Sequence, residues 1–560
     1  MKQAPPHASP ELDRLLAEAV ALHQGGKPGE AKECYQKILA AHPGHFGTLN
    51  LLAVASIQTG EAARAIPLLE RALLAQPDYV EAHSNLGAAL RLCNRPVEAE
   101  SACRKALALR PDYPEALHNL GAALQLQGRD EEALVEYGRS LVLRPASAQV
   151  HNSRCVSLKR LRRHEEAVEA GRRALALQPH YAEALNNVAA ALKELGRYGE
   201  ALAACEEALA LQPNFAEAHG NRGVILASLN RMEEAAAAYR QALDHRPDFN
   251  EVGWNLGLMH LSLGRFAEGW VDYERRWGRE EVRALPETGL PLWTGEPGID
   301  LAGKKLLIQF EQGCGDLIQM ARYLPLLERR GAVPVPILEV PASLRTLLTR
   351  SFPDLRLTPL DVVPEGLDYR IPVMSLPLAL GTDSEAAIPG GVPYLRPDPE
   401  AVARWAARLP PDPRRKFGLV WRGNPIHPND RNRSAKLEDL LPLLARKDVI
   451  WFILQKNLTE AELLLLQPFR NAVVLDPVLE TFDDTAAVMM FLNVVVSVDS
   501  APAHLAGALG RKTAVLLPFH ADWRWMHDRA DSPWYPSARL YRQAAPGDWA
   551  GVVGRLLEEI

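Results

Sequence analysis

Pro43, Pro77, Pro111, Pro145, Pro179, Pro213 and Pro247 recur every 34 residues without a slip. A period of that length is one helix–turn–helix unit, too small to bury its own apolar face, so each unit must stack on its neighbours. The proline stops the second helix of each unit, because it has no N–H and its ring blocks the hydrogen-bond ladder. The same offsets return between prolines. Turn residues stand at Gly60, Asn94, Gly128, Gly196, Asn230 and Gly264, and alanines at Ala65, Ala99, Ala133, Ala167, Ala201 and Ala235. Gly87, Gly121, Cys155, Ala189, Gly223 and Gly257 form a small-residue column where the two helices of a unit must approach closely. The pattern predicts an α-solenoid over residues 1–279, with units running from Glu11 to Trp277.

A further column bears on function. Asn85, Asn119, Asn187, Asn221 and Asn255 share one position on the first helix of successive units, with Leu51 and Ser153 interrupting the run. Each amide offers a donor and an acceptor. Two readings fit: a ladder that grips an extended peptide by its backbone, or consensus residues hydrogen-bonded within their own unit.

Composition then divides the chain. All of the tryptophans lie at Trp254 or later, while the first half is dominated by Ala, Leu and Glu. At 560 residues the chain exceeds one core, and a net charge of −6 gives no ground for a nucleic-acid backbone as main partner. No apolar run reaches membrane-spanning length, and MKQAPPHASPELDRLL lacks the apolar centre of a signal peptide. Cys34, Cys93, Cys103, Cys155, Cys205 and Cys314 show neither C-x-x-C pairs nor histidines at metal spacing, which fits free thiols in a reducing compartment. The expected location is cytoplasmic.

After Gly264 the repeat decays. Residues 280–301 are expected to form a fixed joint, with Trp270, Trp277 and Trp293 packing the end of the array against the next domain; a flexible tether would be rich in Gly and Ser. From Lys304 the pattern becomes strand, glycine turn, helix, with strands expected at 304–310, Pro334–Val340, Leu355–Pro359 and Tyr369–Val373. Proline-rich stretches bracket a helix at Pro399–Arg408, placing a boundary between lobes 302–398 and 399–560. The second lobe offers strands Phe417–Trp421, Val449–Leu454, Ala472–Leu475, Asn493–Val498 and Thr513–Leu517, with Asp483 and Asp484 as a cap before Thr485–Phe491. Two such sheets leave a cleft between the carboxyl ends of their strands.

The stretch Val494–Gly510, VVVSVDSAPAHLAGALG, carries the strongest chemical signal. A buried valine strand runs into a helix, with Ser500 placed to cap it and Pro502 in its first turn. Free N–H groups and the positive dipole end make such a helix start an anion site, although the same pattern also suits an ordinary βα unit with no ligand. The loop Trp421–Ser434, WRGNPIHPNDRNRS, brings Arg422, Asn424, His427, Arg431 and Arg433 to the same sheet edge; otherwise it is a solvated basic loop. Lys436 follows it, equally suited to a helix surface, and Gln455 ends the strand WFILQ. In the first lobe Gly313, Cys314, Gly315 and Asp316 form a turn into a helix, with Gln319 and Arg322 one and two turns along.

The first half resembles tetratricopeptide repeats, which implies a superhelix whose concave face, lined by the first helices, binds proteins or peptides. The layout from Ala302 to Ile560, with D-S-x-x-A-H-L-A-G-A-L-G at Asp499–Gly510, resembles GT-B glycosyltransferases of two Rossmann-like lobes, above all heptosyltransferase-like domains and those fused behind tetratricopeptide arrays in bacteria. That resemblance implies that Ser500, Ala501 and His504 lie against the diphosphate of a nucleotide-sugar donor, with Asp499 bracing the turn and the arginines stabilising the departing phosphates. Gln455 suits a base or ribose contact. Asp316 matches the family's general base, which strips the acceptor hydroxyl for an inverting displacement; its position suits an N-terminal capping carboxylate as well. No D-x-D motif ends a strand, so transfer without metal or other cofactor is expected. The aromatic tail from Asp522 is expected to be ordered, over the donor base or packed between lobes. The fusion points to a protein glycosyltransferase with a polypeptide acceptor such as a flagellin, modified on Ser or Thr. The rivals are a lipopolysaccharide-type transferase whose repeats recruit partners, and a peptide-binding adaptor whose lobes no longer turn over.

Overall fold

The computed structural model describes residues 10–279, 285, 288–296, 299, 301–329, 337–409, 411–427 and 429–560, which divide into two compact units, Met1–Ile225 and Leu226–Ile560. The 279/280 boundary marks where the repeat pattern ends. Compactness draws its line earlier, inside the helix Ala216–Ser228, because the last repeat helices share a core with the α/β part.

The first unit stacks helix pairs, from Pro10–Gln24 with Pro28–Ala41 through Ala182–Glu194 with Tyr198–Leu211. Each second helix ends two residues before its proline. The turn between helices needs a left-handed residue, supplied by Gly60 (φ +79°), Asn94 (+55°), Gly128 (+73°) and Gly196 (+73°). Arg162 (+60°) fills the same turn where neither Gly nor Asn is present. The small-residue column is a true close approach: a Cβ on Gly121 would lie 2.5 Å from the Tyr137 ring, and one on Gly87 2.3 Å from Cys103 Sγ. Ala65, Ala99, Ala133, Ala167 and Ala201 are fully buried.

The second unit begins with the remaining repeat helices and continues into two parallel sheets. The first sheet contains β1 (Leu306–Gln309), β2 (Ile337–Val340), β3 (Arg356–Pro359) and β4 (Tyr369–Pro372), in the order β3-β2-β1-β4. The second contains β5 (Arg415–Val420), β6 (Val449–Ile453), β7 (Ala472–Val474), β8 (Val494–Val498), β9 (Thr513–Leu517) and β10 (Ala538–Arg542), in the order β10-β9-β8-β5-β6-β7. Leu419, Trp451, Val496 and Leu516 pack on one face of this sheet with the helices Leu437–Leu444 and Trp549–Glu559. Phe452, Val495 and Val515 pack on the other, in a core continuous with β1, β2 and the repeat helix Phe266–Tyr273. Burial on both faces is why these strands read as unbroken apolar runs.

Residues 334–336 of the expected second strand, and 280–284, 286–287, 297–298 and 300 of the expected joint, lie outside the described residues. Two elements extend what the pattern predicts: β10 and the helix Trp549–Glu559. The helix expected at Thr485 starts at Phe482, capped by Thr481, whose hydroxyl accepts from the Asp484 N–H while Asp484 reaches back to the Thr481 N–H.

The joint is fixed by burial. Trp270 and Trp293 are each 1% exposed, and Trp270 stands edge-on to Trp523 at 5.2 Å. Trp277 departs from expectation: it stays at the surface, covered by the Arg276 guanidinium 4.4 Å from its ring. Arg276 itself is 2% exposed and forms a bidentate pair with Glu311 (2.9 and 3.1 Å), which also accepts from the Met374 N–H at 2.9 Å. Among the described residues no helix is long and apolar enough to cross a membrane, and no cysteine is in a disulfide.

Candidate functional site

β8 delivers Asp499 and Ser500 to its carboxyl end, and the helix Ala501–Ala508 begins at once. Ser500 stands at the N-cap position, but its side chain does not cap the helix. The hydroxyl turns back to the strand, donating to the Val498 carbonyl at 3.2 Å and lying 3.1 Å from Ser497 Oγ. The strand-end carbonyl competes successfully for it.

Facing this helix start is the one after β1. The helix Cys314–Met320 begins beside Gly313, whose N–H donates to Asp316 Oδ2 at 2.7 Å. Asp316 thus fills the capping role that its position suits. Gly315 lets the two helix starts touch: a Cβ there would meet His504 Cδ2 at 3.0 Å and Ala501 Cα at 3.5 Å. The cleft expected between the lobes is closed at this point.

Arg524, from the loop after β9, ties the two sides together. Its guanidinium donates to the other oxygen of Asp316, to Gln319 Oε1 at 2.8 Å and to Asp522 Oδ1 at 2.9 Å, and only 7% of the residue is exposed. Burial alone would raise the Asp522 pKa, but Arg524 outweighs it and holds the carboxyl below its usual range. Asp499 behaves oppositely: burial, then repulsion from Asp522, push it up to about 6, against the pull of Arg433, Arg524 and the Trp525 indole. His504, stacked on Trp525 at 5.1 Å and hydrogen-bonded through Nδ1 to the Tyr535 hydroxyl at 3.0 Å, is driven down to about 3, by burial first and then by Arg524. Its Nε2 stands 3.9 Å from Asp499 Oδ1. At neutral pH the site holds a neutral imidazole near the buried Arg524 guanidinium and the Asp522 carboxylate.

The other expected site residues divide. Arg433 lies over Gly423 and near Asp430 (3.4 Å), within electrostatic reach of Asp499 and His504. His427 is lowered by partial burial and Arg433, with Asp522 and Asp316 working the other way, so it borders the same cluster. Arg431 is exposed, and Asn424 folds its carboxamide back onto the Ile426 N–H at 3.1 Å. Arg422 turns to Glu462 (3.0 and 3.1 Å) and the Asn457 carbonyl, so its fork is spent on a neighbouring loop. Gln455 is buried with its oxygen accepting from the Trp421 and Arg422 N–H groups (3.1 and 3.0 Å) and its amide donating to the Lys456 carbonyl; it fixes the strand end and has little left for a base or ribose. Arg322, expected to face the cleft, is buried, donating to the Trp534 carbonyl at 2.7 Å beneath Tyr394 and Tyr535. Trp523, Trp525, Trp534 and Tyr535 are all buried, so the tail is an ordered aromatic wall.

In the first unit the asparagine column neither stands free nor bonds within one repeat. Asn85 donates to Asn50 Oδ1 (2.8 Å), Asn119 to Ser84 Oγ (3.2 Å), Asn187 to Asn152 Oδ1 (3.0 Å) and Asn221 to Asn186 Oδ1 (2.8 Å), each reaching 35 residues back. Ser153, which interrupts the column by identity, keeps the link through His118 at 3.2 Å. The column laces successive repeats together, with an N–H of each of these amides spent on the link. Asn255 lies in the second unit, partly buried.

Family models described as "Tetratricopeptide repeat" match residues 22–90, 102–135 and, in overlapping stretches, 156–214, 189–248 and 222–279. The array is built of tetratricopeptide repeats. The chain is also similar to Protein FlbA of Caulobacter vibrioides, 28% identical over 311 residues, covering 51% of this chain and 51% of FlbA; it thus spans about half the length of that relative. Among solved structures, a tetratricopeptide repeat protein from Parabacteroides merdae is 16% identical, with 45% of this chain and 99% of that chain covered, at a TM-score of 0.37. YrrB, described as a TPR protein with an unusual peptide-binding site, is 22% identical, with 33% and 95% covered, at 0.28. Behind the tetratricopeptide repeats, Asp522, Arg524, Trp525 and Tyr535 are the site residues that motif reading passed over. The alternation of acid, tryptophan and arginine in D-W-R-W is the signal that would have marked them.

Proposed function

We propose that the chain is a cytoplasmic protein glycosyltransferase of GT-B type, with the first sheet's lobe presenting an acceptor and the second sheet's lobe holding a nucleotide-sugar. One observation carries this reading: Asp316, Asp499, His504 and Arg524 converge where the carboxyl ends of β1, β8 and β9 meet, behind an array of a kind suited to holding polypeptide. In the reaction Asp316 takes the proton of an acceptor Ser or Thr hydroxyl. The hydroxyl oxygen bonds to the anomeric carbon, the bond from that carbon to the diphosphate breaks, and the nucleoside diphosphate leaves with the electron pair, inverting the sugar carbon. Arg433, Arg524 and the start of the Ala501 helix supply positive potential for the leaving group, so the reading needs no metal. Co-expression with a flagellin-like acceptor followed by intact-mass analysis tests it. The native chain should add whole sugar masses and Asp316→Ala should add none. An unmodified acceptor removes that acceptor, and a shift surviving the substitution removes Asp316 from the mechanism.

A second reading has its own support. Both Asp316 oxygens are engaged and the two helix starts are in contact, as expected of a peptide-binding adaptor whose lobes do not turn over. Nucleoside diphosphate binding without sugar release across candidate acceptors would favour it.

A further inference from the structure

A carboxylate with one oxygen on a guanidinium and the other on a backbone N–H has each oxygen aimed at a partner, so an incoming hydroxyl must compete with the guanidinium for its place. That is the condition of Asp316 here. The cation that holds it is also the one best placed for a donor diphosphate. Arg422 is committed to Glu462; Arg433 and Arg524 both act on Asp499 and His504, but Arg433 lies beside Asp430, whereas Arg524 alone of the three bonds Asp316 on the facing helix start. Asp522 grips Arg524 from its own loop, so the side chain can exchange one partner without leaving the site. Gln319 adds a detail: its oxygen accepts from Arg524, while its Nε2 is buried and, among the described residues, has no hydrogen-bond partner.

We propose that Arg524 is the donor-diphosphate residue, and that by taking the phosphates it lets go of Asp316, so the base becomes competent only when the donor is seated. The proposal rests on the glycosyl-transfer reading above. A diphosphate outcompetes a carboxylate for a guanidinium fork because it brings more charge and more acceptor oxygens in matching geometry. Gln319 Nε2 then has an acceptor, in a phosphate oxygen or in the released Asp316. Arg524 acts on proton transfer through Asp316, as a positioning residue, and on the donor by direct contact.

Calorimetric titration of the full-length chain with UDP, GDP, ADP and CDP tests this, comparing native, Arg524→Gln, Arg524→Lys, Asp316→Asn and the Arg524→Gln/Asp316→Asn pair. For the nucleotide the native chain binds, Arg524→Gln should weaken affinity about tenfold or more, as expected for losing a charge-assisted contact, with partial recovery in Arg524→Lys. Asp316→Asn should tighten binding several-fold by removing the competing carboxylate, and should do nothing once Arg524 is gone. A purely structural ion pair would not tighten ligand binding when broken. Unchanged or weakened affinity in Asp316→Asn, or native affinity in Arg524→Gln, overturns the proposal while leaving the transfer reading intact. If the native chain binds none of these nucleotides, both fall. Should Arg524→Gln lose its native tryptophan fluorescence, Asp316→Asn alone decides, because it keeps Arg524 in place.

Discussion

Along the first unit, the asparagine links from repeat to repeat are neutral and shared out. Asn50, Asn152 and Asn186 each accept one amide N–H from the next repeat, and no single residue carries the seam. In the second unit polarity is ionic and centred: Arg524 serves Asp316, Asp522 and Gln319, and Arg276 serves Glu311 and Glu274. Neutral bonds buried in a repeat stack cost little to make or lose, whereas an enclosed charge becomes expensive the moment its partner goes. The first arrangement tolerates variation such as Ser153. The second stores the capacity to change partner.

The largest expected effect sharpens this contrast. Glu311→Ala removes the buried carboxylate that pairs with the enclosed Arg276 and accepts from the Met374 N–H, leaving Glu274 as the remaining ion-pair partner, and should cost about 3 kcal/mol. All of the tryptophans lie in the second unit, so urea unfolding followed by tryptophan fluorescence reports that unit alone. A loss well under about 1 kcal/mol would mean that the pair behaves like a surface bridge.

Next comes a dependence on pH. Asp499 sits at about 6 and His504 at about 3 in the folded chain, against about 3.9 and about 6.5 unfolded. Between pH about 4 and 6 the unfolded histidine binds a proton that the folded one refuses, so His504 lowers stability as pH falls. Over the same window folded Asp499 holds a proton that the unfolded chain lacks, which raises stability as pH falls. The two offset each other in the native chain. Asp499→Asn should expose the His504 slope, a loss of about 1.4 kcal/mol per unit of falling pH relative to native, and His504→Gln should reverse the sign. Parallel pH–stability curves for all three chains would show that the site does not enclose its charges this way.

The smallest effect belongs to the repeats. Asn85→Ala removes one lacing bond and should cost about 1 kcal/mol, followed by helical circular dichroism, and Ser153→Ala no more. A loss as large as that of Glu311→Ala would erase the distinction between the units.

The array was legible because its information is local and repeated. A proline stop and a left-handed turn each act within a few residues, and 34-residue periodicity multiplies the signal. The strands β1 to β9 were legible for a similar reason, as apolar runs between turns. β10, A-R-L-Y-R, was not, because an edge strand with charged residues lacks that run. The site was legible only in part. Asp316 and His504 sit in motifs, but the partner that determines what Asp316 can do lies 208 residues on in the chain. Arg422 and Gln455 turn to protein partners that the sequence did not mark for the same reason: a residue's position at a strand end says nothing of which neighbour claims its side chain.

Because every lacing bond spans one period plus one residue, excising any block of 34 residues within the run brings the far half of one link onto the near half of another. Such a cut removes a rung and closes without a gap. The length of this scaffold is therefore adjustable in whole steps, and shortened versions would measure how many rungs the stack needs to stand.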